Sequence, residues 1–483
     1  MVRQNGENSM GVFGIIGEDK TSVASSVYYG LYALHHRGQE SCGIVVNDAG
    51  KFSMHKDTGL VSDVFNGTKL ADLGQGNMAI GHARYGTLGT KGRENAEPIV
   101  VNHIKGSLAI ASEGRLINGD LLKRELELQG MIFHTTSDAE VISYVITKER
   151  LNSEKIEQAV SKAMNKLEGG YCLLLMSRHK MIAARDPHGM HPLCYGKRDN
   201  GQYVIASESC ALDSVGATMI REIEPGEILV ISDEGITSVR DHCKTTPEAL
   251  CIFEDIYTAR PDSSICDFSV HDARKRAGAL LAKAHPVEAD VVVGVPDSGL
   301  DAALGYAEES GIPYGIGLIK NKYIGRTFIA PGQDVREDKV KIKLNPVAST
   351  VKGKRVVLVD DSIVRGTTCG RIVRLLRAAG ATEVHLRSSA PAFLNPCYYG
   401  TDIDSKDALI ANNHTVEEIA KIAGADTLGY LPCEDVTKIC DGARCSGFCT
   451  ACFDGKYPSL TPAEYRKQFA KALVSETKSE SET

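Results

Sequence analysis

The sequence predicts two units of different fold class, an α+β sandwich over residues 10–240 and an α/β unit over residues 250–458. In the first unit, alternating strand patterns are mixed with helical patterns at Asp138 to Arg150 and Ile156 to Leu167, as expected for two sheets between helical layers. In the second unit, short apolar runs are each followed by a polar turn and a helical pattern, which is typical of a parallel sheet.

The composition narrows the class of protein. Hydrophobic residues make up 42% of the 483 residues, which is ample for two cores, and no apolar run has membrane-spanning length. A net charge of −7 and a pI near 6.1 argue against general nucleic-acid binding. Fourteen cysteines without a signal peptide indicate a reducing compartment, so we expect a cytoplasmic protein. Residues 1–9 form a polar extension that we expect to stay attached, and the polar tail, residues 470–483, is predicted to be disordered.

The most informative run is VVLVDDSIVRGTT, residues 356–368. A buried strand ends in two adjacent carboxylates, Asp360 and Asp361, at the edge of the sheet where ligands gather. Such a pair can accept hydrogen bonds from ribose hydroxyls or hold a divalent cation. The turn that follows offers N–H groups and hydroxyls to a phosphate at a helix N-terminus, and the helix is predicted at 371–379. Its candidate residues are Ser362, Arg365, Gly366, Thr367 and Thr368.

The whole run matches the phosphoribosyl pyrophosphate (PRPP) loop of type I phosphoribosyltransferases, although an ordinary strand-to-helix connection can also contain two aspartates and a glycine turn. Upstream, residues 289–299 predict a second strand that ends in a polar turn suited to pyrophosphate. The tip of that turn is Asp297, Ser298 and Gly299. Two basic stretches between these turns carry Lys322, Arg326 and Lys343, which either close over a polyanion or form a solvated basic face.

Further motifs extend this pattern, and with them the chain resembles the glutamine phosphoribosylpyrophosphate amidotransferase family from Gly11 to Pro458. The motifs are GVFGIIG, LHHRGQESCGI, GHARYGTLG, TSDAE, ASESCAL, FEDIYTARPDS, GVPDSG, the PRPP loop and ACFDGKYP. The resemblance implies an N-terminal-nucleophile (Ntn) hydrolase domain, the class II glutamine amidotransferase-like αββα sandwich, joined to a type I phosphoribosyltransferase domain. It also implies de novo purine synthesis, in which ammonia from the first domain displaces pyrophosphate from PRPP in the second and gives 5-phosphoribosylamine.

The sequence departs from that family at the glutaminase nucleophile. The family has a cysteine directly before GVFGI, freed as the mature N-terminus, and Met10 stands at that position here. A thioether forms no thiolate, so Met10 cannot form the thioester that glutamine hydrolysis needs. Ser9 would be one residue out of register as a substitute.

A second departure lies in the oxyanion hole. The family motif HNGNL supplies an asparagine amide and a glycine N–H, whereas this chain has Glu113 and Gly114 at those positions. Loss of one oxyanion donor typically costs roughly 3 to 4 kcal/mol, and we expect a carboxylate facing the oxyanion to be worse. We therefore predict that the glutaminase half has no catalytic residue and no activity.

Part of the amino-acid pocket is kept. Arg84 matches the family arginine that holds the substrate α-carboxylate, and Asp138 matches the aspartate that holds the α-amino group. With Gly114 they are the candidate remnant of the pocket. Either an amino acid still binds there, or both charged residues are kept for folding.

The cysteines predict a metal site. The CTAC motif places two thiolates on one turn, which is half of a zinc or iron–sulfur site. The resemblance implies a 4Fe-4S cluster, with zinc as the alternative, and its ligands are Cys251, Cys397, Cys449 and Cys452. The resemblance also implies Mg²⁺ at the PRPP site, with Ser298, Asp360 and Asp361 as the metal-site residues.

Three functions fit these observations. The first is transfer of phosphoribosyl from PRPP to ammonia, supplied free or by a partner glutaminase. The second is a non-catalytic regulator or partner of an active paralogue that senses PRPP, nucleotides or an amino acid. The third is transfer to another acceptor. Ala348 and Lys322 stand where relatives usually carry arginine, which keeps the second and third open. The resemblance further implies a homotetramer and purine nucleotide effectors.

Overall fold

The computed structural model describes residues 10–17, 23–85, 92–321, 344–401, 403 and 405–468. The polar extension and the polar tail lie outside these residues, as do the candidate PRPP-binding residues Lys322, Arg326 and Lys343. No helix in the part of the chain that the structure describes has the length and apolar character needed to cross a membrane.

Two antiparallel sheets form the centre of the first unit. The seven-stranded sheet contains, in spatial order, Ala217–Glu222, Cys194–Arg198, Tyr203–Ala206, Met10–Ile16, Met78–Arg84, Ser41–Asp48 and Lys51–Thr58. The six-stranded sheet contains, in spatial order, Gly235–Val239, Ile228–Ser232, Lys180–Arg185, Gly169–Met176, Leu108–Leu116 and Ile99–Val101.

Helices cover the outer faces of both sheets. The helical segments of this unit are Val23–Ala33, Val61–Val64, Gly67–Asp72, Arg93–Asn95, Gly119–Leu128, Asp138–Leu151, Ile156–Met164 and Ser209–Asp213. Strand alternation explains the layers, because successive side chains point to opposite faces. Phe13 and Ile15 pack toward the helix Val23–Ala33, whereas Val12 and Ile16 lie in the core between the two sheets. The result is the predicted αββα sandwich.

A four-stranded parallel sheet forms the centre of the second unit, in the order Val291–Gly294, Arg355–Asp360, Glu383–Ser388 and Thr427–Tyr430. The short pairings are Leu250–Cys251 with Phe448–Cys449, Ser264–Ile265 with Phe268–Ser269, and Leu318–Lys320 with Leu344–Pro346. The helical segments are Glu254–Thr258, Val270–Ala284, Leu300–Ser310, Ala348–Val351, Thr367–Ala378, Lys406–Ala408, Ile410–Asn413, Val416–Ala423, Cys433–Cys440, Ala451–Asp454 and 462–468.

The parallel sheet is buried on both faces. Val357 and Val359 pack toward the helices Val270–Ala284 and Leu300–Ser310, whereas Val356 and Leu358 pack toward the opposite helical layer. Such two-sided burial explains why the strand is a continuous apolar run in the sequence. The unit is therefore a three-layer α/β fold, as predicted.

One helix begins earlier than the sequence pattern indicates. The helix predicted at 371–379 starts at Thr367, directly after Gly366, whose φ of 74° ends the loop. Thr367 and Thr368 are polar and exposed, so the first two helical positions do not mark the start of the helix in the sequence.

The helices Val270–Ala284 and Leu300–Ser310 approach each other so closely that only glycine fits at two positions. A β-carbon on Gly278 would lie 1.8 Å from the Ala302 carbonyl oxygen, and one on Gly305 would lie 1.8 Å from the Lys275 carbonyl oxygen. Both obstacles are backbone atoms, so a side chain at either position would push the helices apart.

We therefore expect Gly278→Ala to destabilise the protein by roughly 1 to 3 kcal/mol or more, because the helix backbones must separate. The measurement is the urea midpoint of unfolding followed by circular dichroism. Gly67→Ala is the matched control, since no atom lies within 4 Å of a β-carbon there. Equal midpoints for the two variants would contradict the close approach.

Candidate functional site

The two aspartates of the PRPP-type loop lie at the carboxyl edge of the parallel sheet. Asp360 ends the strand Arg355–Asp360, and Asp361 follows it. Both are buried, and the Asp361 N–H donates to Asp360 Oδ1 at 3.0 Å. Burial and the charge of Asp361 raise the pKa of Asp360 well above its usual range, and burial raises the pKa of Asp361. A cation beside the pair would relieve this repulsion, so the arrangement suits a divalent metal ion.

The second predicted turn meets this pair. The strands that precede the two turns are parallel neighbours, with Gly294 opposite Val359, so their carboxyl ends lie side by side. The Ser298 hydroxyl donates to Asp361, and the Ser362 hydroxyl donates to Asp361 Oδ1 at 2.5 Å. The structure therefore places Ser298 and Ser362, from the two predicted turns, in contact with the same carboxylate, that of Asp361.

The remaining loop residues surround the same edge of the sheet. Gly299 approaches the neighbouring strand closely, because a β-carbon there would lie 2.6 Å from the Val359 carbonyl oxygen. The helix that starts at Thr367 has Gly366 at its N-cap position, so no N-cap side chain accepts a hydrogen bond from the first N–H groups of the helix. Such a helix start attracts a phosphate group.

Lys320 is a further cation at this edge of the sheet that was not singled out in the sequence. Lys320, at the end of the strand Leu318–Lys320, donates through Nζ to Asp297 Oδ2 at 2.5 Å. Both side chains are partly exposed. The lysine is the first residue of the first basic stretch, residues 320–333, and only the position of Asp297 in the fold distinguishes it from other surface lysines.

The predicted amino-acid pocket is a cavity of about 550 Å³ that residues of both units line. Met10, Arg84, Gly114 and Asp138 all line it, as predicted from the sequence. Met10 begins its strand and pairs with Arg84 of the neighbouring strand. Further lining residues were not singled out in the sequence; they include Glu97, Arg115, Asp120, Tyr398 and Arg466.

Glu97 changes the character of this pocket. Arg84 Nη1 donates to Glu97 Oε1 at 3.0 Å and to Ser137 Oγ at 3.1 Å, and Glu97 Oε2 accepts from the Ser112 N–H at 2.8 Å. Burial alone would raise the pKa of Glu97, but the charges of His82 and Arg84 lower it, so the carboxylate is ionised. A ligand carboxylate would therefore meet a guanidinium that a buried anion already partly neutralises.

Asp138, the predicted amine-binding carboxylate, lines the same cavity. It is the first residue of the helix Asp138–Leu151, which Ser137 caps. Asp138 Oδ2 accepts from the Leu116 N–H at 2.9 Å, and burial raises the pKa of the carboxyl.

The Glu113 carboxylate does not line this pocket, which differs from the expectation that it faces a developing oxyanion. It accepts from Arg37 Nη1 at 2.5 Å and from the Ser207 hydroxyl at 2.6 Å. The buried cation explains the difference, because it attracts the carboxylate into the interior. Either orientation leaves the oxyanion position without the family's amide donor.

Arg37 is the centre of a buried ionic cluster. Its guanidinium, which is fully buried, donates to Glu113, Glu208 and Glu254. Burial alone would lower the pKa of Arg37, but the three carboxylates raise it well above its usual value. One ligand atom each of Glu113, His191 and Glu254 lie within 4.8 Å of one another, an arrangement compatible with a metal ion. Because Arg37 already donates hydrogen bonds to both carboxylates, we assign no metal there.

His191 completes this cluster as an imidazolium. Its Nδ1 lies 3.3 Å from Glu254 Oε1, and its Nε2 lies 2.9 Å from the Tyr399 carbonyl oxygen. Both partners are acceptors, so only the doubly protonated ring satisfies them. Burial alone would lower the pKa of His191, but the bond to Glu254 and the charge of Glu113 raise it.

The four predicted cysteine ligands lie around one small cavity. Cys251 and Cys449 are opposite each other in a two-stranded parallel pairing. Cys397 Sγ accepts from the Tyr399 N–H at 3.5 Å and from the Thr401 N–H at 3.4 Å, as sulfur ligands of clusters often do. Among the described residues, no three of these sulfurs lie within 4.8 Å of one another.

Comparisons with known proteins agree with this geometry. Residues 82–214 match a family model described as a glutamine amidotransferase domain, and residues 270–411 match one described as a phosphoribosyl transferase domain. The amidophosphoribosyltransferase of Methanocaldococcus jannaschii is 50% identical over 464 residues, which cover 93% of this chain and 97% of that protein. The chain belongs to the amidophosphoribosyltransferase family.

Other members of the family extend the comparison. The amidophosphoribosyltransferase of Bacillus subtilis is 49% identical over 454 residues, which cover 93% of this chain and 94% of that protein. A solved structure of glutamine PRPP amidotransferase from B. subtilis, complexed with ADP and GMP, has a TM-score of 0.86 at 48% identity and covers 94% of this chain and 99% of that chain. The predicted fold class, an Ntn-type glutamine amidotransferase unit followed by a phosphoribosyltransferase unit, is confirmed.

We expect His191 to make stability depend on pH. Its pKa is raised in the folded state, so its contribution is complete below the unfolded value of about 6.5 and is lost as pH rises through the folded pKa. Above about pH 6.5 the urea midpoint of unfolding should therefore fall as the pH rises, and His191→Gln should make this fall smaller. His179→Gln, at an exposed position, is the control. An unchanged slope in the His191 variant would contradict the imidazolium assignment.

Proposed function

We propose that this chain transfers the phosphoribosyl group of PRPP to ammonia, giving 5-phosphoribosylamine and pyrophosphate, and that it does not hydrolyse glutamine. The observation that carries the proposal is the pairing of a well-formed PRPP-type site with a pocket whose nucleophile position is Met10. Membership of the amidophosphoribosyltransferase family supports purine synthesis as the setting. We further propose residues 10–240 and 250–458 as the two domains.

Three features of the first unit support the loss of glutaminase activity. Met10 has no proton to lose and forms no thiolate. The Glu113 carboxylate binds Arg37 and offers no oxyanion donor to the pocket. Arg84 is paired with Glu97, which weakens its hold on a substrate carboxylate. These features lie in separate elements, so reversal of one leaves the others in place.

The second unit supplies the groups that a PRPP reaction needs. Asp360 and Asp361 fit a divalent cation and the ribose hydroxyls, since both pKa values are raised by burial. With Ser298, these residues would hold Mg²⁺, which would neutralise charge on the pyrophosphate leaving group. Gly366, Thr367 and Thr368 place the start of a helix where the 5-phosphate can accept N–H bonds.

A regulatory role is the second candidate. Arg84 and Asp138 line a cavity of about 550 Å³, so the space for an amino acid is kept, although Arg84 is already paired with Glu97. In this role the chain would sense PRPP, a nucleotide or an amino acid and act on an active paralogue. Transfer to a different acceptor is a further alternative, and the exposed Ala348 in place of the usual arginine fits altered contacts there.

Purine nucleotides are proposed as effectors, because the B. subtilis relative was solved with ADP and GMP. A homo-oligomer, a tetramer as in the family, and a cytoplasmic location complete the proposal.

The deciding experiment is pyrophosphate release from PRPP and Mg²⁺ under anaerobic conditions, with either ammonium chloride or glutamine. We expect turnover with ammonium that increases with pH as the free ammonia fraction grows. We expect none above background with glutamine, because Met10 is not a nucleophile. Asp361→Asn should lower the ammonium-dependent rate by about two orders of magnitude or more, since it removes a metal-site carboxylate.

Met10→Ala is the matched control and should keep the ammonium-dependent rate. Met10→Cys should not restore glutaminase, because Glu113 and Glu97 remain. Glutamate release by the wild-type protein would overturn the ammonia proposal, and silence with both nitrogen sources would favour the regulatory role.

We also propose a 4Fe-4S cluster at Cys251, Cys397, Cys449 and Cys452. The residues fit the group, because burial raises the pKa of three of these thiols, to about 12 for Cys449, and iron would compensate the buried thiolates. Zinc, the alternative metal, is held by four sulfurs that lie about 3.8 Å from one another in a tetrahedron. Here no three of the four sulfurs, all of which the structure describes, lie within 4.8 Å of one another, and this wider spacing favours the iron–sulfur cluster. The cluster would tie the start of the second unit to its C-terminal segment.

We expect anaerobically purified protein to contain iron and acid-labile sulfide and to absorb in the blue. Cys452→Ser should lose the iron, whereas Cys433→Ser, a partly buried cysteine outside the group, should retain it. Metal analysis and absorption spectra provide the measurement. Stoichiometric zinc without iron would support the alternative metal.

A further inference from the structure

Two other cysteines, Cys266 and Cys445, line a small surface crevice between the two units. Cys266 lies in the turn that joins Ser264–Ile265 to Phe268–Ser269. Cys445 lies four residues before the proposed ligand Cys449. Both thiols belong to one apolar cluster with Leu250, in which Cys266 is buried and Cys445 is half-buried. Neither belongs to the four proposed cluster ligands.

The turn at Cys266 opposes the backbone preference of its residues. Cys266 and Asp267 have φ values of 51° and 59°, so a two-residue hairpin turn has both central residues in the left-handed region. Such turns favour Asn-Gly or Asp-Gly, because a β-carbon is disfavoured there. The side chain of Cys266 is therefore not explained by the needs of the turn.

Hydrogen bonds hold the Cys445 segment against this turn. The Arg444 N–H donates to the Cys266 carbonyl oxygen at 2.8 Å. The Arg444 guanidinium donates to Glu222 and Asp267, each at 3.0 Å. The Cys266 N–H donates to Glu222 Oε1 at 2.6 Å, so one carboxylate binds both segments. The two thiols are thus kept together by contacts that do not involve sulfur.

The Cys445 thiol also lies close enough to Cys266 to affect the pKa of that thiol. The hydrogen-bonding interaction with Cys445, followed by burial, raises the pKa of Cys266. Cys440 lies close to Cys445 as well, but it is buried and interacts mainly with Asp255. Cys266 is therefore the better-placed partner of Cys445, and Cys440 is the competitor that an experiment must distinguish.

We propose that Cys266 and Cys445 form a reversible disulfide with a low-molecular-weight disulfide as oxidant. The half-buried Cys445 thiolate attacks one sulfur of the oxidant, which forms a mixed disulfide and releases one thiolate. Cys266 then attacks Cys445 Sγ, which breaks the mixed disulfide and releases the second thiolate. Two electrons pass from the cysteine pair to the oxidant, and the two cysteine protons end on the two released thiols.

The disulfide would anchor the segment that carries Cys449 and Cys452. That segment otherwise joins the start of the second unit through the pairing of Phe448–Cys449 with Leu250–Cys251. In the oxidised protein a covalent bond would hold it to the hairpin independently of any bound metal. The inference does not rest on the proposed ammonia-dependent activity.

The test uses the full-length protein, reduced and then incubated anaerobically with oxidised glutathione. Free thiols are blocked with N-ethylmaleimide, and peptides are mapped by mass spectrometry without reduction. We expect a peptide pair linked through Cys266 and Cys445, with loss of two free thiols, and full reversal by dithiothreitol. The same link should form in Cys433→Ser.

Single variants give the order of the steps. Cys266→Ser should accumulate glutathione on Cys445, because the resolving thiol is missing, whereas Cys445→Ser should leave Cys266 free. In the wild-type protein, a link from Cys445 to Cys440, a persistent glutathione adduct on Cys445, or two unlinked thiols would each overturn the proposal.

Discussion

A single buried guanidinium, that of Arg37, holds together elements from both halves of the chain. Its three carboxylate partners come from the strand Leu108–Leu116, from the residue before the helix Ser209–Asp213, and from the start of the second unit at Glu254. Removal of one member of a buried ion pair commonly costs about 3 to 5 kcal/mol, because the remaining charge has no partner. The position of the second unit against the Met10 pocket therefore depends on this cluster, to which Glu113 contributes from the first unit.

The two cavities near this cluster share a wall. Cys397 and Gly400 line both the Met10 pocket and the cavity of the four cysteines, and His191 connects the ionic cluster to that wall through Tyr399. A change at the proposed metal ligands would therefore alter the shape of the amino-acid pocket directly. The Met10 pocket, the Arg37 cluster and the cavity of the four cysteines are therefore adjacent in the structure, although their residues lie in different parts of the sequence.

Much of the candidate site could be predicted from the sequence, because its residues lie in short runs with a local signature. The aspartate pair after an apolar strand, the glycine turn and the paired cysteines are of this kind, and the structure brings each set together. The pairing of Arg84 with Glu97 could not be predicted, since neither a spacing nor a periodicity links the two residues. The orientation of Glu113 depends on Arg37, a residue 76 positions away, so no local pattern indicates it.

The pairing of Leu250–Cys251 with Phe448–Cys449 constrains how the protein is made. Cys449 follows Cys251 by 198 residues, so the first sulfur emerges from the ribosome long before its opposite neighbour is synthesised. Contacts between such distant residues form late, after the intervening helices and strands have folded. Any group bound by all four sulfurs can therefore be inserted only once Cys452, the last of them in the chain, has been synthesised.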